Sequence, residues 1–99
     1  MKQSKIKAER LLASKKPSIS FTLINLSGKN DKFRNTASTT YYYILKGSGN
    51  FVINGKKRAV RKGNLVCVPK NSTYQDAGNL QMLAVAVPKL DAKKIRMVK

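Results

Sequence analysis

The sequence predicts a single-domain, all-β barrel. Two observations carry that prediction. Apolar residues alternate with polar ones at period two, as one-sided strands require, and Gly, Asn and Pro turn signals recur about every ten residues. Together they mark out seven or eight short strands, the signature of a sandwich or barrel. A chain of 99 residues, 41% of them hydrophobic, is long enough for one core without disulfides or metals.

Met1–Lys16 is basic, and its apolar residues Ile6, Leu11 and Leu12 fall at irregular spacing. It is expected as a basic N-terminal arm or short helix, with the barrel domain spanning 17–99. In Ser18–Leu26, Ile19, Phe21 and Leu23 alternate with Ser20, Thr22 and Ile24, which predicts a strand. Ser27–Ala37 is polar and reads as a loop. Thr39–Lys46 is rich in Thr, Tyr and Ile, the residue types that suit a pleated surface. Gly47-Ser48-Gly49 is expected to break it. Phe51-Val52-Ile53 leads into Asn54-Gly55, a pair that supplies both positive-φ positions of a type I′ hairpin turn. A basic return strand follows as far as Val60, and Lys62-Gly63-Asn64 turns the chain again. Leu65–Val68 reads as a short buried strand, with Cys67 as a small buried hydrophobe. Thr73–Asp76 and Leu80–Val87 are read as two strands separated by an Ala77-Gly78-Asn79 turn. Asp91–Val98 is an edge strand or a helix.

The formal charge is +17, from 21 Lys and Arg against four Asp and Glu. The terminal stretches 1–16 and 89–99 carry +5 and +4, and the body carries +8. Such a field repels like copies and attracts polyanions. The lone Cys67 allows no intramolecular disulfide, so nothing asks for an oxidising compartment. No apolar run reaches the roughly 18–20 residues of a membrane-spanning helix, and the N-terminus lacks the apolar core of a secretory signal. A cytoplasmic protein without membrane insertion is the expectation.

Two stretches carry a resemblance. Tyr43-Ile44-Leu45-Lys46-Gly47-Ser48-Gly49 resembles the Y-V-L-x-G-x-G of the first cupin motif. Gly63–Asn71 is similar to the G-x5-P-x-G of the second, with Asn71 in place of the last glycine. The likeness spans about residues 36–88 and implies a cupin-type jelly-roll β-barrel. Cupins usually hold a metal on two histidines and a glutamate from the first motif and one histidine from the second. This chain has no histidine. Counting by the family spacing, the resemblance places the four ligand positions on Arg34, Thr36, Thr40 and Tyr74. None is a good donor for a transition metal, which asks for imidazole, carboxylate or thiolate. The expectation is therefore a metal-independent barrel with no cofactor.

Without histidine, acid–base chemistry falls to Asp, Glu, Tyr or Lys. Asp76 lies two residues after Tyr74, so on a strand both face one side. Some metal-free cupin isomerases and epimerases use a tyrosine, but they pair it with a histidine. A metal-independent carbohydrate isomerase or epimerase is thus the third reading, behind two binding readings. The first is a small polar or anionic ligand, sugar-like or bearing phosphate or carboxylate. It would be held in the barrel mouth by Arg34, Thr36, Thr40, Tyr42 and Tyr74. The second is a dimeric scaffold that binds nucleic acid, nonspecifically, or an acidic protein through Lys56, Lys57, Arg58, Arg61 and Lys62. Metal-free cupin domains of centromere proteins dimerise, and they resemble this chain in P-x-N-x-x-Y, here Pro69, Asn71 and Tyr74. A homodimer interface falls either on Ile19, Phe21 and Leu23 or on the opposite set with Ile24 and Leu26.

Overall fold

The computed structural model describes residues 5–98. They form β1 (Lys5–Lys15), β2 (Ser18–Lys29), β3 (Phe33–Asn35), β4 (Thr39–Ile53), β5 (Lys56–Arg61), β6 (Leu65–Val68), β7 (Thr73–Val87), a 3-10 turn Ala92–Lys94 and β8 (Ile95–Met97). All eight strands belong to one antiparallel sheet. The sheet is curled so that two layers face each other. One layer runs β1-β2-β7-β4-β6, using the second half of β7 and the first half of β4. The other runs β8-β3-β7-β4-β5, using the remaining halves. The expected all-β barrel is what the chain forms.

β4 and β7 serve both layers, and this corrects the reading of Gly47–Gly49 and Ala77–Asn79 as turns. The chain does not reverse there; it bends. Gly28 is paired with Gly78, and Gly78 with Gly49, so glycines lie side by side across three strands. Gly78 has φ 124° and Gly28 φ 103°, values open to glycine and strained for other residues. A Cβ on Gly78 would stand 2.5 Å from the Cα of Gly49. The strands therefore cross closely at a barrel corner, a known use of glycine inside strands. In β4 the register also shifts between Ile44 and Lys46, beside Gly47 at φ 89°.

The predicted hairpin at Asn54-Gly55 is present, with φ 50° and 83°. Asn71 takes the left-handed position of the second motif at φ 70°. Two other expectations need correction. Lys5–Lys15 is neither a loose arm nor a helix: it pairs with β2 from Lys5↔Ser27 to Lys15↔Ser18. Ser27–Ala37 is not all loop, since β2 runs on to Lys29 and Phe33–Asn35 forms β3 between β7 and β8. The tail gives both of its alternatives, a turn of 3-10 helix and then edge strand β8.

The core lies between the layers. It is built by Leu26, Tyr42, Ile44, Phe51, Val60, Val66, Val68, Leu80, Met82 and Ala84. Period two explains the set: inward Thr40, Tyr42 and Ile44 alternate with exposed Tyr41 and Tyr43. The same rule turns Cys67 outward, between buried Val66 and Val68. Buried polar side chains beside this core are bonded to main chain. Asn35 Oδ1 accepts the amides of Ala37 and Ser38 at 3.0 and 2.9 Å. The Ser20 hydroxyl accepts the Leu90 amide at 2.9 Å, and Ser38 donates to the Pro88 carbonyl at 2.8 Å.

Candidate functional site

Inside the barrel, three side chains capable of polar chemistry converge. β4 presents Tyr42 from one layer, and β7 presents Tyr74 and Asp76 from the other. Tyr74 and Asp76 are two apart on an extended strand, which puts both on the inner side. The Tyr42 and Tyr74 rings are tilted at 47° with centroids 6.3 Å apart. Tyr42 also leans on Phe51 at 5.1 Å, and Tyr74 on Phe33 at 6.3 Å. Tyr42 is buried, while Tyr74 is only partly so and forms the exposed side of the group.

Asp76 is 3% exposed, and its Oδ1 has no hydrogen-bond partner among the described residues. A carboxylate oxygen left unpaired in the interior is costly, since burial removes water that nothing replaces. Burial pushes the Asp76 carboxyl above its usual range, against hydrogen bonds from the Asn30 side chain and from its own N–H. Burial also holds the Tyr42 hydroxyl well above the ordinary phenol value, reinforced by the neighbouring Tyr74 and Asp76. Tyr74 is raised by burial; a hydrogen bond from Tyr42 lowers it, and Asp76 adds to the rise. At neutral pH both tyrosines are uncharged phenols. The Tyr42 O–H is committed to Tyr74, so the site offers the Tyr74 hydroxyl as a donor, the phenol oxygens and one carboxyl oxygen as acceptors, and aromatic faces beside them.

Of the residues the sequence nominated, Thr40, Tyr42 and Tyr74 face the barrel interior. Arg34 does not. Its neighbours Phe33 and Asn35 turn inward, so Arg34 is exposed, and its guanidinium donates to the Thr73 hydroxyl at 3.0 Å. Thr36 spends its hydroxyl on the Lys94 carbonyl at 3.0 Å. Both misplacements have one cause. Counting through a loop of unknown length loses parity, and a shift of one residue reverses the face. Asp76 joins Thr40, Tyr42 and Tyr74 in the interior, at the two-residue spacing from Tyr74 that puts both on one face. Its signal was a carboxyl on the inner face of a strand in a chain with only four acids.

Nor does this donor set fit a transition metal. The four positions supply hydroxyls and an outward guanidinium, and no cluster of three or more His, Cys, Asp or Glu exists among the described residues. Elsewhere, Lys56, Lys57, Arg58, Arg61 and Lys62 are all exposed along β5 and its following turn. Among the described residues β5 pairs only with β4, so this basic row lies on a sheet edge. Lys56, Lys57, Arg58 and Asn54 line a cleft of about 480 Å3. No helix among the described residues is long and apolar enough to cross a membrane.

No family model matches the sequence, and no curated protein matches it. Solved structures do. Streptomyces PAC13 with uridine superposes with a TM-score of 0.87 at 22% identity, over 95% of this chain and 78% of that one. A second structure of Pac13, described as a unique nucleoside dehydratase, gives 0.71 at 22% over 93% and 85%. KdgF from Halomonas sp. gives 0.80 at 13%, over 89% and 83%. The Cnp3 cupin domain of Schizosaccharomyces pombe gives 0.76 at 15%, over 82% and 63%. These likenesses agree with the two motifs in the sequence: the chain has the fold of the cupin superfamily.

Proposed function

We propose that this cupin-fold barrel binds a small, neutral, hydroxyl-bearing molecule, such as a nucleoside or sugar, between Tyr42, Tyr74 and Asp76. One observation carries the reading: the buried, unpartnered Oδ1 of Asp76 beside two neutral phenols. An interior that leaves an acceptor unpaired is matched by a ligand that brings a donor. A hydroxyl donating to Oδ1 supplies one, while the aromatic faces pack against a ring. The presence of a uridine-bound protein and a nucleoside dehydratase among the structural neighbours supports a nucleoside-sized ligand. The anionic alternative loses its support inside the barrel, because Arg34 points outward and the ionisable group facing in is a carboxyl. Binding is metal-independent on this reading. Isomerase or epimerase chemistry asks more of the site than recognition does, and the site has no imidazole to pair with its tyrosines.

The test is ligand-induced thermal stabilisation with uridine and a panel of neutral monosaccharides. A ligand at about one hundred times its Kd stabilises by ~2.7 kcal/mol. For a domain of this size that is a rise of roughly 10 °C or more in Tm. Tyr74→Ala should abolish the rise. A ligand that stabilises wild type and Tyr74→Ala equally would place its site elsewhere.

A second reading, in which a polyanion or acidic partner binds the β5 edge, is favoured by the exposure of all five basic side chains there. It concerns a different surface and is compatible with the first.

A further inference from the structure

Five rows of polar and basic side chains cross the glycine corner and the outer face of the layer β8-β3-β7-β4-β5. Lys7, Asn25, Gln81 and Lys46 lie side by side in the first. Ser27, Asn79, Ser48 and Arg61 form the second, and Lys29, Ala77, Asn50 and Ala59 the third. Gln75, Val52 and Lys57 follow, then Thr73, Arg34 and Arg96. These residues alternate with buried Leu26, Phe51, Val60, Asp76 and Leu80, so their side chains point away from the core. Every row has a cation, each of these cations is exposed, and no row has an acid. Of the four acids, Glu9 pairs opposite Leu23, Asp76 is buried, Asp91 caps the 3-10 turn and Asp31 sits in the loop beyond Lys29. Nor is the charge simply spread over the surface. At the other end of the sheet, the outer row of Leu12, Phe21, Val85 and Tyr41 holds no Lys or Arg, and neither does that of Leu23, Leu83, Tyr43 and Leu65.

Three clefts open along these rows. One of about 440 Å3 is lined in part by Lys7, Lys46, Asn25 and Gln81. The next, of about 530 Å3, has Ser48, Asn50 and Arg61 in its wall. The third, of about 220 Å3, sets Lys29 and Lys57 beside Asn50 and Gln75. Asn25 Oδ1 accepts from Gln81 at 3.2 Å, and Asn79 Oδ1 accepts from Ser27 at 3.1 Å. These carbonyl oxygens are used within the face, so a ligand meets the N–H2 ends. Amide donors beside cations, with no carboxylate among them, suit an anion.

We propose that this face binds the phosphodiester backbone of a nucleic-acid duplex without reading its sequence. Like the second reading above, this takes the positive charge as a binding surface; it differs in placing the contact on the sheet face instead of the β5 edge. Length favours a polymer. Four steps of ~6.8 Å along β7 separate Gln81 from Thr73, about 27 Å in all, so a lone phosphate would meet one row only. Lys and Arg interleaved with Ser, Thr, Asn and Gln are the side chains that hold phosphate and sugar. Unpaired bases need aromatic platforms to stack on, and these rows have none. A duplex keeps its bases stacked within itself and presents a dense row of phosphates. An anionic membrane would also be gripped by apolar side chains, and Val52 is the sole large one in these rows.

The test is fluorescence anisotropy with a DNA duplex of about 20 base pairs, titrated at several salt concentrations. One phosphate held per row predicts that log K falls with log salt at a slope of roughly −4.5. Lys29→Gln/Lys46→Gln/Arg96→Gln removes exposed cations from three rows. It should weaken binding at least about tenfold and flatten the slope by roughly three units, with an unchanged far-ultraviolet spectrum. Lys56→Gln/Arg58→Gln, on the other side of β5, should leave the slope within about one unit of wild type. A loss confined to that pair would overturn the face and favour the edge. A single strand that binds tighter than the duplex at equal salt would overturn the choice of a duplex. Poly-glutamate that competes as well as the duplex itself would overturn it in favour of an acidic protein.

Discussion

Asp76 shows what burying one carboxyl costs a small fold. Its folded-state value stands above the usual carboxylate value of 3.8, so ionising it disfavours the folded chain. The sign follows from linkage. Below pH 3.8 the group is protonated in both states and costs nothing. As pH rises past 3.8 and through the folded value, the unfolded state loses its proton first and stability falls. Above that range the loss is constant. Asp76→Asn should therefore raise Tm at pH 7, and the advantage should shrink toward zero below pH 4 in a series of thermal melts. A variant no more stable than wild type at pH 7 would mean that Asp76 is adequately paired. Much of this site was legible in the sequence. The cupin resemblance puts Thr40 at an inward ligand position, and alternation carries Tyr42 to the same face. Arg34 was lost because a loop precedes it. Cys67 was lost because Leu-Val-Cys-Val is apolar throughout and shows no alternation to read.

Among the elements, the glycine corner decides the architecture. A sequence reader sees Gly47–Gly49 and Ala77–Asn79 as turns, because glycine punctuates chains at turns and bends alike. What distinguishes a bend is pairing across strands, which sequence does not display: Gly78 faces Gly49 on one side and Gly28 on the other. Gly78→Val should cost at least about 3 kcal/mol in urea unfolding, since a side chain there meets backbone and φ 124° strains any L residue. A loss below ~1 kcal/mol would mean that the strands part easily at the corner. Edge strand β5 carries its own prediction. If its basic row binds polyanions, affinity for single-stranded DNA should fall steeply with salt, and Lys56→Ala/Lys57→Ala/Arg58→Ala should flatten that slope by about two units. Salt-insensitive binding would argue against an electrostatic surface.

Across the whole molecule, charge and apolar surface are kept apart. The +17 chain gathers five of its cations along the β5 edge and its turn and places a carboxyl in the interior. The fold itself was the most legible part, since turn spacing, alternation and two glycine-bearing motifs all pointed to one barrel. The central claim, that this barrel receives a small hydroxyl-bearing ligand, is tested most directly by titrating uridine and neutral monosaccharides into isotopically labelled protein. The backbone amides are followed by NMR. At least one ligand should shift the amides of Tyr42, Phe51, Tyr74 and Asp76 saturably. No shift at these residues with any of them up to about 10 mM, a limit weaker than millimolar binding, would contradict the account.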